Sequence, residues 1–203
     1  MQLVADRWRD PEAWASLARS GARYFELPGL LEPAAAAALR DAAVTLPVAR
    51  LATPLVAADR HLLAAHELAP WLDVLQDATF RALVAIALGR EVPPGVVANV
   101  WRMRRGDTMG VHPDGPLYRG TISLGLTTGW TPDDGGAIAF GDKDGESFTP
   151  RQRWYPHLGD ALIFAPAADT WHCVEPVRGD VTRYSLTAWW TAPADGLTRG
   201  RTG

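Results

Sequence analysis

The pattern of apolar and polar positions gives the chain two textures. Up to about residue 90 the apolar residues recur at helical spacing; beyond it they come in short β-rich runs parted by Gly and Pro. Asp10-Pro11-Glu12 predicts a helix start. Asp10 can cap, Pro11 suits the first helical position and Glu12 favours the positive end of the dipole. This helix is expected to reach about Ser20 and stop at Gly21. Tyr24-Phe25-Glu26-Leu27 predicts a short strand ended by Pro28-Gly29. Glu32-Pro33 opens a second helix, through an alanine run to about Val44. Residues 45–60 read as irregular. A third helix is predicted over Pro70–Leu88, with Trp71, Leu72, Leu75, Phe80, Leu83 and Val84 as its apolar stripe and Gly89 at its end.

From Glu91 onward the pattern predicts strands. Val96 to Trp101 is a β-rich run, and further candidates are Tyr118–Leu126, Ala137–Phe140, Ala161–Phe164 and Arg183–Trp190. Helices first and closely spaced strands afterwards predict a mainly β, α+β architecture, with a helical layer packed on a sandwich or barrel. One domain is expected over 1–203: residues 1–90 as mainly helical support, 91–192 as the β core, and 193–203 as a loose tail rich in Gly, Thr and Arg.

Composition changes this picture little. Of 203 residues, 47 % are hydrophobic and 21 % charged, an ordinary globular mixture that needs no staples. A net charge of −3 gives no electrostatic reason to expect nucleic acid or an anionic membrane as partner. The single cysteine, Cys173, excludes an internal disulfide and fits a reducing compartment. No basic segment followed by an apolar run opens the chain, and no stretch approaches the ~20 apolar residues of a membrane span; a cytoplasmic protein is expected. Six of the nine tryptophans fall between Trp101 and Trp190, which puts the main packed core, and a pocket within it, in the β region.

The candidate chemistry begins at His112-Pro113-Asp114. On extended backbone, side chains two apart share a face, so imidazole and carboxylate can reach one ion. Pro113 cannot donate to a ladder, which places the segment at an edge or strand end. A second histidine is needed, and His157 and His172 lie downstream. His172 follows the apolar strand 159–164 and precedes Val174, Pro176 and Val177, whereas His157 sits before that strand like a turn residue. His172 is therefore the favoured third ligand. Two histidines and a carboxylate on one face leave coordination positions free, as in Fe(II) oxygenases. Zinc hydrolases use the same ligand types, so the ligands alone do not name the metal.

Arg183-Tyr184-Ser185 tips the balance toward iron. Arg183 comes eleven positions after His172, and Arg183 and Ser185 share a strand face. An arginine grips a carboxylate through two parallel hydrogen bonds, which the far carboxylate of 2-oxoglutarate requires; Ser185 adds a hydroxyl.

Taken in order, Gly106-Asp107, His112-x-Asp114, Gly135-Gly136, Gly159-Asp160-Ala161-Leu162-Ile163-Phe164, His172-x-Val174-x-Pro176-Val177 and Arg183-Tyr184-Ser185-Leu186 resemble the Fe(II)/2-oxoglutarate dioxygenases of the prolyl 4-hydroxylase type. The resemblance covers about 96–190, and more weakly 24–44. It implies a double-stranded β-helix, a cupin-like jelly-roll core with helices along one side. It implies His112, Asp114 and His172 as iron ligands and Arg183 on 2-oxoglutarate, with dioxygen as the other cosubstrate. A further cosubstrate contact is implied on the strand before the first histidine, where Asn99 and Arg102 stand equal. In the family the arginine often comes one residue sooner after the second histidine, which leaves Arg178 as a rival. Halogenating relatives lack a carboxylate at the position of Asp114; its presence implies hydroxylation or a related oxidation of a C–H bond.

The remaining features read plainly. His61 and His66 belong on a solvated helix or loop, Asp133-Asp134-Gly135-Gly136 is a tight turn, Trp171 packs, and Cys173 faces away from the metal. The loops at 45–66 and 115–118 are expected to shape access for a small-molecule substrate, an amino acid or secondary metabolite. Two other classes compete. A divalent-metal hydrolase or isomerase on a similar barrel would work without 2-oxoglutarate; a catalytically idle binding module would show no iron-dependent turnover.

Overall fold

In the computed structural model, residues 2–191 are described; the predicted loose tail lies outside them. Helix α1 (Pro11–Arg19) starts where its cap predicts, Asp10 accepting the Glu12 N–H at 2.9 Å. Strand β1 (Tyr24–Leu27) and helix α2 (Pro33–Val44) also fall on their predicted spans.

Residues 45–60 are not irregular. They hold β2 (Ala49–Ala52) and most of β3 (Val56–Leu62), an antiparallel pair. The sequence of β2, Ala-Arg-Leu-Ala, has no β-branched or aromatic residue and is largely exposed, so local pattern carries no strand signal. Pairing with β3 makes it a strand. The single helix expected over 70–88 is two, α3 (Ala69–Gln76) and α4 (Ala78–Leu88). Asp77 between them is extended (φ −58°, ψ 130°), and its carboxylate accepts the Phe80 N–H at 2.9 Å. Its side chain offers a cap that competes with helix continuation, and the unbroken apolar stripe hides that signal. Residues 1–90 thus contribute three strands as well as the helices.

Eight strands follow: β4 (Gly95–Met103), β5 (Thr108–His112), β6 (Tyr118–Gly125), β7 (Ile138–Asp144), β8 (Ser147–Trp154), β9 (Ala161–Phe164), β10 (His172–Val174) and β11 (Arg183–Thr191). The four predicted runs from 118 onward all land on strands. Strand β8 is unforeseen because it is polar and interrupted by Pro150. It lies at the end of the sheet, where charge and proline protect an edge.

Antiparallel pairing gives the order β1-β9-β6-β11-β4, then β3, then β5-β10-β7-β8. The sheet curls nearly into a barrel, the jelly roll that the resemblance implies. Alternation assigns the faces. Val100, Ile122, Leu124, Leu186 and Ala188 pack toward Trp14, Trp71, Leu75 and Phe80 of the helices. Trp101, Met103, Ile138, Phe140, Phe164 and Val174 form a second core on the inner face. Trp190 joins the helical layer to the barrel: it is fully buried, and its indole N–H donates to the Leu75 carbonyl at 2.9 Å.

The β2–β3 hairpin is fastened by charge. Buried Asp59 accepts from Arg102 Nε at 2.9 Å and Nη2 at 2.8 Å, with Arg104 at 3.2 Å and Arg50 at 3.5 Å. Arg50 also donates to buried Asp107 at 2.6 Å. A buried carboxylate is tolerated only with such partners.

Trp190→Ala is expected to lower the unfolding free energy by about 3–5 kcal/mol, and Trp190→Phe by less. Urea denaturation measures both; a loss under ~1 kcal/mol for the alanine variant would contradict this packing.

Candidate functional site

His112 ends β5 and His172 begins β10, and the two are partners across that ladder. Their ring centroids are 4.4 Å apart. Asp114 follows two residues beyond the strand end. One ligand atom from each of the three lies within 4.8 Å of the others. That span is comparable to the ~4 Å between opposite ligands of a first-row divalent ion.

Hydrogen bonds prepare all three. His112 Nδ1 meets the Gly110 carbonyl at 2.8 Å, and His172 Nδ1 meets the Thr170 carbonyl at 3.1 Å. A carbonyl only accepts, so each Nδ1 carries the proton and each Nε2 keeps its lone pair. Burial, reinforced by the His112 ring and opposed by Asp114, pushes the His172 imidazole down to about 4. The ring is thus neutral near pH 7, as a ligand must be. Phe140 and Phe164 pack against it, at ring distances of 5.3 and 5.0 Å. Asp114 Oδ2 accepts from the Thr121 hydroxyl at 2.6 Å and the Trp189 indole at 3.0 Å. Thr121 and Trp189 are themselves paired between β6 and β11. One carboxylate oxygen is held, and the other is left for an ion.

A cavity of about 380 Å³ runs past this cluster, and Arg183 and Ser185 line it as well. Arg183 is 2 % exposed. Its Nε donates to the Gly136 carbonyl and its Nη1 to the Ser185 hydroxyl, both at 2.8 Å. Among the described residues no carboxylate lies within 4 Å of it. Burial pushes the guanidinium down to about 10, which still leaves it charged near neutrality. A buried, unpaired cation at a cavity wall is an anion site in waiting. Gly136 makes room for it: with φ +62°, a Cβ there would stand 3.1 Å from Arg183 Cδ and 3.0 Å from Val177.

Other sequence candidates fall elsewhere. Arg102 is engaged by Asp59 and does not line the cavity, because even-numbered positions of β4 face away from it. Asn99 shares the inner face with Trp101 and Met103 but is not among the lining residues; its Oδ1 is buried without a partner. Arg178 is exposed, bonds the Pro132 carbonyl at the surface and does not line the cavity. His157 is exposed, bridged to Thr127, and outside the cluster. His61 lies in β3 and pairs with Glu67 at 2.8 Å. Asp134 closes a capped 3₁₀ turn at Thr131, as a tight-turn reading expects. The Cys173 thiol is pushed up to about 11 by burial and plays no part in the cluster. Thr121, Trp189 and Gly136 escaped the sequence. Two-residue spacing from Arg183 along β11 points at Trp189, whereas nothing local marks Thr121.

Residues 98–191 match the family described as the 2OG-Fe(II) oxygenase superfamily. A Pseudomonas putida prolyl-4-hydroxylase shares the fold at a TM-score of 0.71 and 16 % identity, over 89 % of this chain and 99 % of that one. A Trichoplax adhaerens prolyl hydroxylase, solved with a hypoxia inducible factor peptide fragment, gives 0.70 and 14 %, over 89 % and 90 %. The non-heme alpha-ketoglutarate-dependent epimerase of nogalamycin biosynthesis gives 0.66 and 18 %, over 90 % and 84 %. No curated protein sequence matches the chain. No helix among the described residues is long and apolar enough to cross a membrane.

Trp189→Phe keeps the ring and deletes one donor to Asp114. It is expected to weaken divalent-ion binding at the cluster roughly tenfold, measured by metal titration of the chelator-treated protein. Unchanged affinity would mean that the indole does not orient the carboxylate.

Proposed function

We propose, from the match of residues 98–191 to the 2OG-Fe(II) oxygenase superfamily, that this chain is such an oxygenase and oxidises an unactivated C–H bond of a small molecule, an amino acid or secondary metabolite. In this reading His112, Asp114 and His172 hold Fe(II), and Arg183 takes the far carboxylate of 2-oxoglutarate. The observation that carries it is the unpaired, buried Arg183 guanidinium opening on the same cavity as the three ligand atoms. The donor set fits: two neutral imidazoles with free Nε2 and a carboxylate with one free oxygen. With dioxygen, the iron and keto acid would supply the oxidising power, giving succinate and carbon dioxide as co-products.

The chain's own groups have the remaining tasks. Arg183 binds and orients the diacid, and its geometry is fixed by Gly136 and Ser185. Ser185 accepts from Arg183, so its own proton is free for the same carboxylate. Thr121 and Trp189 hold Asp114 in place. The carboxylate of Asp114 leaves no position for a halide, which favours hydroxylation or desaturation. The apolar inner wall of Ile138, Phe164 and Val174 keeps bulk water from the reacting centre. At about 380 Å³ the cavity is near the low end for small-molecule sites, which suits a compact substrate.

Purified protein with Fe(II) and 2-oxoglutarate under air is expected to form succinate, faster when a metabolite panel includes the substrate. A chelator should stop this and Fe(II) restore it. Asp114→Ala should abolish coupled turnover, and Arg183→Lys should raise the half-saturating 2-oxoglutarate concentration by about tenfold or more. Coupled turnover surviving in Asp114→Ala would refute the ligand assignment; metal-dependent activity without 2-oxoglutarate would point to a hydrolase.

A further inference from the structure

We propose that Arg60 is the substrate-selecting cation of this cavity: it pairs with a carboxylate on the primary substrate, whose remaining body is apolar. This rests on the oxygenase reading above and names the substrate class for the same site.

Among the described residues two guanidiniums line the cavity, and they differ in kind. Arg183 is buried and braced. Arg60 is exposed, on β3, in register with Trp101 of β4. Its guanidinium carbon lies 5.9 Å from the centroid of the Trp101 ring, over its face. Stacking of this type steadies the planar group and leaves its edge N–H donors free.

The surroundings make Arg60 unusual. Arg50, Arg102 and Arg104, on β2 and β4 or just beyond it, all pair with Asp59, and Arg50 also with Asp107. Among the described residues Arg60 has no carboxylate within 4 Å. Strand parity explains the contrast. Asp59 faces away from the cavity and is saturated there, while Arg60, one residue on, faces into it. The adjoining walls are apolar: Leu51, Leu55, Val56 and Met109. Leu55 among them is 42 % exposed, so the apolar wall reaches the surface. Exposed apolar surface around a cavity mouth marks a binding site.

Charge balance separates the roles of the two arginines. A divalent iron, the Asp114 carboxylate, the doubly charged keto acid and Arg183 together sum to neutrality when both histidines are neutral. The cosubstrate half of the cavity therefore closes without Arg60. The leftover positive charge, flanked by apolar walls, is complementary to a monoanion with a hydrophobic body. A zwitterionic amino acid would bring an ammonium group that finds, among the described residues, no unpaired carboxylate at this end. The structure thus favours a simple apolar acid over an amino acid.

Anaerobic calorimetry on the Fe(II)/2-oxoglutarate-loaded protein tests this with 3-phenylpropanoate and 4-methylpentanoate, each against its primary amide. At least one acid is expected to bind roughly tenfold more tightly than its amide. Arg60→Gln should remove that preference without changing the affinity for 2-oxoglutarate, and Arg60→Lys should retain part of it. Equal binding of acid and amide, no binding of either acid, or a preference that survives Arg60→Gln would overturn the proposal. So would a loss of 2-oxoglutarate affinity in Arg60→Gln, since Arg60 would then serve the cosubstrate. If the unsubstituted protein fails to bind 2-oxoglutarate at all, it is the oxygenase reading that falls, and the acid-over-amide comparison on the metal-loaded protein still decides the role of Arg60.

Discussion

A pleated strand shows its side chains to alternate faces, and β11 obeys this rule along its whole length. Leu186, Ala188 and Trp190 point to the helices, and Trp190 bonds to the carbonyl of Leu75. Arg183, Ser185, Thr187 and Trp189 point into the cavity. One strand thus couples the packing that stabilises the molecule to the groups that hold charge inside it. A slip of one residue would exchange the two sets, turning the guanidinium toward the helical layer and putting Tyr184 or Thr182 where Arg183 stands. The apolar set pins the register, and the polar set inherits its position from it.

The same logic brings the three candidate ligands together. His112 and His172 are sixty residues apart in sequence yet opposed across one ladder. Asp114 is placed by a second pair, Thr121 and Trp189, from the other half of the sheet. The cluster therefore straddles both halves of the curled sheet. None of the three side chains orients itself: two backbone carbonyls, a hydroxyl and an indole N–H do so.

Much of this was legible in the sequence, for reasons that can be named. That His112 and Asp114 come together is legible because period two is a property of extended backbone itself. Arg183 and Ser185 share the cavity face for the same reason. The strands 161–164 and 183–191 announced themselves by β-branched and aromatic residues. The failures share a cause as well. Strand β2 is a strand through its neighbour, and Ala-Arg-Leu-Ala says nothing of that neighbour. Strand parity separates Arg102 from its neighbours on β4: Trp101 and Met103 face the cavity and Arg102 faces away. The break at Asp77 was written in the sequence but outweighed by an apolar stripe that continues through both helices. The role of Thr121 is set by a contact with Asp114 across the cavity, which no local pattern encodes.

The β2–β3 hairpin forms one wall of the cavity, and to its ladders with β4 and β5 it adds buried charge ties. The barrel closes through apolar packing, which salt leaves nearly untouched. The hairpin is tied through Asp59 and Asp107 to guanidiniums, and the side chains of Arg50 and Arg104 are 49 % and 59 % exposed. Mobile ions reach such groups, with a screening length of about 8 Å at physiological ionic strength. The two carboxylates, however, are 7 % and 6 % exposed, so these pairs are screened less than surface ion pairs, and the wall that carries Arg60 keeps its charge ties in the surrounding electrolyte.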